Sequence, residues 1–217
     1  DDAFIEKMVA KYPKLLATLP SKESGVRYRL EGYLFPATYG YGKDSKMEDL
    51  VDQMLAAMDQ NLSAYYDTME AKNIDVNEAL TLASLIEKEG ATDKDRKDIA
   101  SVFYNRLNQD MPLQSNIAIL YAQGQLGKKT TLKEDATIDT NIDSPYNIYK
   151  NTGLMPGPVD SPGVSAIEAA VNPSKTDYLY FVANVETGEV YFAKTYEEHT
   201  KNVEEHVNSK LTESSSN

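Results

Sequence analysis

The chain has no cysteine, no tryptophan and only two histidines among its 217 residues. Without cysteine there is neither a disulfide framework nor a thiolate metal site. Zero cysteine also suits an exported bacterial protein. His199 and His206 lie seven residues apart near the polar C-terminus, with no obvious third ligand, so neither a metal centre nor a Ser-His-Asp nucleophile is expected. The glycine and histidine signatures of nucleotide, zinc-peptidase and hydrolase sites are missing, and no internal repeat is found. No apolar run approaches the roughly 20 residues of a membrane span, and no signal peptide is visible. The chain begins at Asp1, so it reads as a piece of a longer protein, with any anchor upstream. Basic residues are outnumbered, 22 against 34 acidic, for a formal net charge of −12 and a pI near 4.6. That balance argues against a nucleic acid as partner.

What is present is enough apolar residue, 41%, to bury one real core. Tyrosine is abundant, with 15 Tyr against 5 Phe. Its apolar face and hydroxyl suit a carbohydrate groove, and equally a half-buried strand. The stretch of most interest is Leu82-Ala83-Ser84-Leu85-Ile86-Glu87-Lys88-Glu89-Gly90. It closes a predicted helix that begins at Asp75, with Glu78 completing a capping box. Val76, Ala79, Leu80, Leu82, Ala83, Leu85 and Ile86 recur at helical spacing, and Gly90 is a plausible stop. Glu87 projects within the apolar stripe, Lys88 away from it, and Glu89 onto its other edge. A desolvated Glu87 would hold a proton at neutral pH and serve as a general acid. A helix-end glutamate paired with Lys or Arg is the competing reading, and spacing alone leaves both open.

Along the chain, residues 3–18 read as an amphipathic helix kinked or split at Pro13. Val26 to Leu34 reads as a strand or extended segment. Glu31 beside Gly32 reads either as a carboxylate where a ligand approaches backbone closely or as a turn glutamate. Further helices are predicted over 47–72, 76–89, 93–108, 117–122, 164–171 and 195–206. Arg106 answers the dipole of its helix. Gln114, Ser115 and Asn116 are hydrogen-bonding groups of the kind that hold sugars or cap helices. The segment from Ser144 to Gly163 is dense in Pro and Gly and reads as a rigid cleft wall carrying Tyr146, Asn147 and Tyr149. Tyr178 to Val185 and Glu189 to Ala193 form a β-hairpin. The expected fold is α+β, mainly helical, with a small antiparallel hairpin and a long Pro/Gly-rich loop lining a cleft. Residues 1–24 are a helical lead-in, 25–208 the main domain, and 124–141 and 209–217 polar, the latter a disordered tail.

Several segments, in order, resemble the endolytic murein transglycosylase (YceG-like) family. They are Leu30 to Pro36, Ala83 to Glu89, Ala100 to Leu107, Met111 to Ser115, Ser144 to Tyr149, Gly153 to Pro158 and Tyr178 to Ala183. Each is weak alone; together they span roughly residues 27 to 207. The resemblance implies non-hydrolytic cleavage of peptidoglycan glycan strands between MurNAc and GlcNAc, leaving 1,6-anhydro-MurNAc ends and needing no cofactor. It implies Glu87 as the catalytic acid and then base, with Glu31, Tyr33, Asn105, Gln114, Ser115, Asn116, Tyr146, Asn147 and Tyr149 as substrate-binding residues. It also implies action at the extracytoplasmic face of the bacterial membrane, through an upstream membrane helix and a LysM-like subdomain, with cell-wall synthases as partners. Asn116 and Ala37 stand where the family commonly has Asp. A non-catalytic peptidoglycan-binding module is the alternative.

Overall fold

A computed structural model describes residues 2–127, 137–184 and 187–208. The fold is mainly helical with one small antiparallel sheet, as the sequence predicts. Half of the 124–141 segment, part of the hairpin turn and the 209–217 tail lie outside the described residues.

α1 (Asp2–Lys11) stops two residues before Pro13. Proline lacks an N–H and clashes with the preceding turn, so the pattern is split there, as the sequence allows. The apolar pattern continues through turns, and Met8, Tyr12, Leu15 and Leu16 join the main core. Val26 to Leu34 is not a strand. It is a run of turns closed by Glu31 N–H to Tyr28 O at 3.2 Å and Tyr33 N–H to Leu30 O at 3.1 Å. Gly32 sits at φ +81°, and a Cβ there would lie 2.3 Å from the Pro158 ring. Its missing side chain therefore makes room for the Pro/Gly-rich loop, not for a ligand.

The predicted 47–72 helix is two helices, α2 (Met47–Leu62) and α3 (Tyr66–Lys72). The apolar period runs through the break, since Leu62 and Met69 are both buried. Ser63 Oγ donates to the Gln60 carbonyl oxygen at 2.6 Å, and the tightened turn ends α2 locally.

α4 (Val76–Glu89) is the central element. Asp75 and Glu78 form the predicted capping box, with Glu78 N–H donating to Asp75 Oδ1 at 2.8 Å and Asp75 N–H to Glu78 Oε2 at 3.0 Å. From Ala79 to Ile86 α4 is buried on every side, Thr81 and Ser84 included, as a helix through the middle of a core must be. It packs against α5 (Asp93–Leu107) and α7 (Val164–Val171). Ala79 and Ala83 on α4, with Ala166, Ala169 and Ala170 on α7, are small enough to let the axes approach closely. α6 (Asn116–Ala122) also touches α4. β1 (Tyr180–Ala183) and β2 (Val190–Ala193) pair with Phe181 opposite Phe192. Phe181 meets Phe103 of α5 edge-on at 5.7 Å, which fixes the hairpin to the core. α8 (Tyr196–Val203) follows. Among the described residues no helix is long and apolar enough to cross a membrane.

Candidate active site

α4 emerges from the core after Ile86, and its last three side chains leave in three directions. Two residues along a helix is about 200° of rotation, so Glu87 and Glu89 face nearly opposite ways.

Glu87 turns toward α5 and α7. Its Oε1 lies 3.1 Å from Arg96 Nη2, and its Oε2 accepts from the Gly163 N–H at 3.0 Å. Gly163 is the N-cap of α7, so a carboxylate also answers the positive end of that helix. Arg96 is held in turn by Ser165 Oγ at 3.1 Å. Gly90 belongs to this cluster: a Cβ there would lie 2.7 Å from Arg96 Cγ. The Glu87 side chain is 26% exposed. It is the paired helix-end glutamate that spacing left open, and it locks three helices together.

Glu89 turns toward a cavity of about 440 Å³ lined by Lys88, Gly90, Asn116, Leu120, Phe181 and Asn184, among others. Its Oε1 accepts from Ser115 Oγ at 2.7 Å. Ser115 is also the N-cap of α6, receiving the Ile117 N–H at 3.2 Å. The turn before it is strained: Gln114 is left-handed at φ +58°, a conformation that costs about 1–2 kcal/mol for a residue with a Cβ. Arg106 holds it there. Its guanidinium, buried between α5 and the hairpin, donates to Leu179 O at 2.6 Å, Pro112 O at 2.8 Å, Leu113 O at 3.2 Å and Gln114 Oε1 at 3.1 Å. The helix-dipole role expected of Arg106 is secondary to this one, which sets Ser115 against Glu89 and Asn116 at the cavity.

The other candidate residues divide. Asn116 lines the Glu89 cavity, and Tyr149 OH donates to its Oδ1 at 2.6 Å from behind. Glu31 lines a neighbouring cavity of about 320 Å³, its carboxylate receiving a very short hydrogen bond from Tyr121 OH. Burial pushes the Glu31 carboxyl above its ordinary range, Tyr121 opposing this and Asp160 adding to it. Tyr146 is buried against the Tyr121 ring at 4.8 Å and supports that side.

Three candidates face inward instead. Tyr33 is fully buried with its hydroxyl 3.2 Å from Asn77 Oδ1. Asn105 donates to the carbonyls of Thr176 and Tyr178 at 3.0 and 2.9 Å. Asn147 donates to Thr140 O and Ile142 O at 3.0 and 2.7 Å, stapling its own loop. His199 stacks on Tyr180 and His206 on Tyr191, at 5.3 and 3.6 Å between centroids. Among the described residues no three His, Asp or Glu come together as a metal would require. Residues of the site that sequence reasoning passed over are Lys88, Tyr121, Asp160 and Asn184. Only Lys88 carried a local signal, its place between the two glutamates.

The arrangement is a mainly helical domain whose central helix delivers a carboxylate into a polar groove walled by a hairpin and a short helix. The model of the YceG-like family matches residues 3–205, and the chain belongs to that family. It is 66% identical over 211 residues to the endolytic murein transglycosylase of Streptococcus pneumoniae serotype 2, covering 97% of this chain and 38% of that protein. It is 44% identical over 211 residues to that of Bacillus subtilis, covering 97% of this chain and 57% of that protein. The chain thus spans well under two thirds of either relative's length. A crystal structure of a YceG-like protein from Listeria monocytogenes superposes with a TM-score of 0.81 at 46% identity, covering 93% of this chain and 64% of that one.

Proposed function

We propose that this domain cuts the glycan strands of peptidoglycan without consuming water, and that Glu89 is the acid and base. The observation that carries the reading is the Glu89 carboxylate at the end of α4, facing a sugar-sized cavity and oriented by Ser115. The names of the relatives support the substrate. Assigning the role to Glu89 instead of Glu87 follows from where the two side chains point.

In the proposed reaction Glu89 gives a proton to the oxygen linking MurNAc C1 to GlcNAc, and the C1–O bond breaks. The oxocarbenium-like centre is stabilised by the sugar's own N-acetyl group or by nearby dipoles such as Asn116. The ionised Glu89 then takes the proton of the MurNAc C6 hydroxyl as that oxygen bonds to C1. The carboxyl is restored and a 1,6-anhydro end is left. One carboxyl thus does the work that a hydrolase divides between two. Glu87 acts as a buttress, Asn116 and Glu31 position sugar, and Tyr149 and Gln114 hold Asn116 and the turn before it in place. The domain would work on the outer face of the bacterial membrane, alongside wall synthases, by family inference alone.

The test is end-group analysis of purified glycan strands by mass spectrometry. Anhydro ends from the wild type, lost in Glu89→Gln and retained in Glu87→Gln, are the expected result. Full activity in Glu89→Gln, or ends carrying an added water, would falsify it. Sedimentation with wall material and no new ends would favour the binding-module alternative.

A further inference from the structure

The groove continues beyond Glu89. Lys88 lines the Glu89 cavity and also the 320 Å³ cavity beside it. Its Nζ lies 2.5 Å from Asp160 Oδ2, both side chains about one third exposed. This ion pair ties the end of α4 to the Pro/Gly-rich loop and marks the seam between the two cavities.

On the far side of the seam stand Arg27, Tyr28, Glu31 and Tyr121, with Val159 at the wall. Tyr28 is 66% exposed, an aromatic face offered to solvent beside a polar cavity. The Arg27 guanidinium lies 5.0 Å over the Tyr121 ring and donates to Ala122 O at 3.1 Å, so it is fixed in place. Two cations, Arg27 and Lys88, are set against two carboxyl groups, Glu31 and Asp160. Such a wall favours no strongly charged ligand. It offers donors and acceptors for hydroxyls and amides, and one aromatic face for the C–H side of a ring. That is the chemistry of a pyranose.

We propose that the second cavity is a subsite for a further sugar of the same strand, with Tyr28 as its stacking platform and the Lys88–Asp160 ion pair as the sill between neighbouring units. This rests on the glycan reading above. Once both cavities are filled, a strand is held on either side of the sill, so affinity rises with chain length until the trench is full.

The experiment is calorimetric titration of the Glu89→Gln protein with purified peptidoglycan oligosaccharides, from disaccharide to octasaccharide. Affinity is expected to rise along the ladder. Adding Tyr28→Ala should weaken the longer oligosaccharides by about 2- to 10-fold and flatten the rise. Tyr41→Ala, a similarly exposed tyrosine away from both cavities, should change nothing. Glu31→Gln, which keeps an acceptor for Tyr121, should also flatten the rise, independently of the aromatic. A flat ladder in the parent, or equal effects from Tyr28→Ala and Tyr41→Ala, overturns the subsite. If the ladder and Tyr28 behave as expected while the wild type cuts no strand, the cleavage reading falls and the subsite stands. If strands are cut and the ladder is flat, the subsite falls alone.

Discussion

Glu87 and Glu89 are two residues apart on one helix and meet different surroundings. Glu87 faces a guanidinium and a helix N-terminus, both parts of the scaffold. Glu89 faces a serine hydroxyl and a cavity. The chemistry of the two side chains is identical, so any difference in role comes from what the rest of the chain brings to each. A carboxylate matched by fixed donors on the scaffold is suited to hold helices together. One that a hydroxyl orients at the wall of a groove is suited to move a proton.

The strongest way to break this comparison is to neutralise each carboxylate in turn. Glu89→Gln keeps shape and removes the titratable proton. Loss of general acid–base catalysis should lower kcat by about 10²–10⁴-fold, with the melting temperature little changed. Glu87→Gln should do the reverse. Hydrogen bonds to charged groups contribute about 1.5–3 kcal/mol, so a stability loss of about 2 kcal/mol in urea is expected, with cleavage retained. Arg96→Met should be at least as destabilising, because it leaves the Glu87 carboxylate without its cation. If Glu87→Gln proves inert in denaturation but silent in cleavage, the two roles are reversed.

This division was only partly legible in the sequence. The start of α4 was, because a capping box and an apolar period are local. So was the hairpin, whose alternation and turn lie within fourteen residues. The direction of Glu87 and Glu89 was not. The walls they meet come from Gly163, Arg96, Ser115 and the hairpin, and no local rule places those around the last turn of α4. Helical spacing put Glu87 inside the apolar stripe correctly, but an inward side chain in the last turn meets whatever packs there, and here that is Arg96. Val26 to Leu34 misled for a similar reason. Its partial alternation is real, with Tyr33 buried and Leu30 and Leu34 packed on the core, yet Gly32 turns the chain under Pro158. Asn105 and Asn147 belong to motifs that mark the family, and in this structure they hold backbone together.

A smaller effect is expected at Ser115, where two readings of one hydroxyl can be separated. Ser115 caps α6 and also orients Glu89. Ser115→Ala should cost about 1 kcal/mol of stability through the lost cap and lower kcat/KM by about 10-fold through the lost orientation. Ser115→Asp restores the cap but sets a second carboxylate against Glu89. Recovery of stability without recovery of activity would show that the hydroxyl serves the glutamate as well as the helix. Recovery of both would make Ser115 a cap alone and weaken the case for Glu89.

The smallest expected effect is on the other side of the sill and depends on pH. The Glu31 carboxyl is raised by burial, so the folded state holds its proton more tightly than the unfolded chain does. Below the ordinary value of 4.5 both states are protonated and the residue is neutral to stability. As pH rises from there toward the raised folded value, the unfolded state ionises first and stability falls, levelling off once the folded carboxyl ionises too. Glu31→Gln removes that loss while keeping an acceptor for Tyr121. The variant should therefore match the wild type in melting temperature at low pH and exceed it slightly at neutral pH. The same measurement on Glu87→Gln should show a deficit at neutral pH, since that carboxylate is matched by a cation and an amide. Opposite signs for the two variants at neutral pH would mean that the carboxylate beside the second cavity is kept at a cost to the fold, as expected of a group retained for a ligand. Equal signs would reduce Glu31 to another scaffold contact.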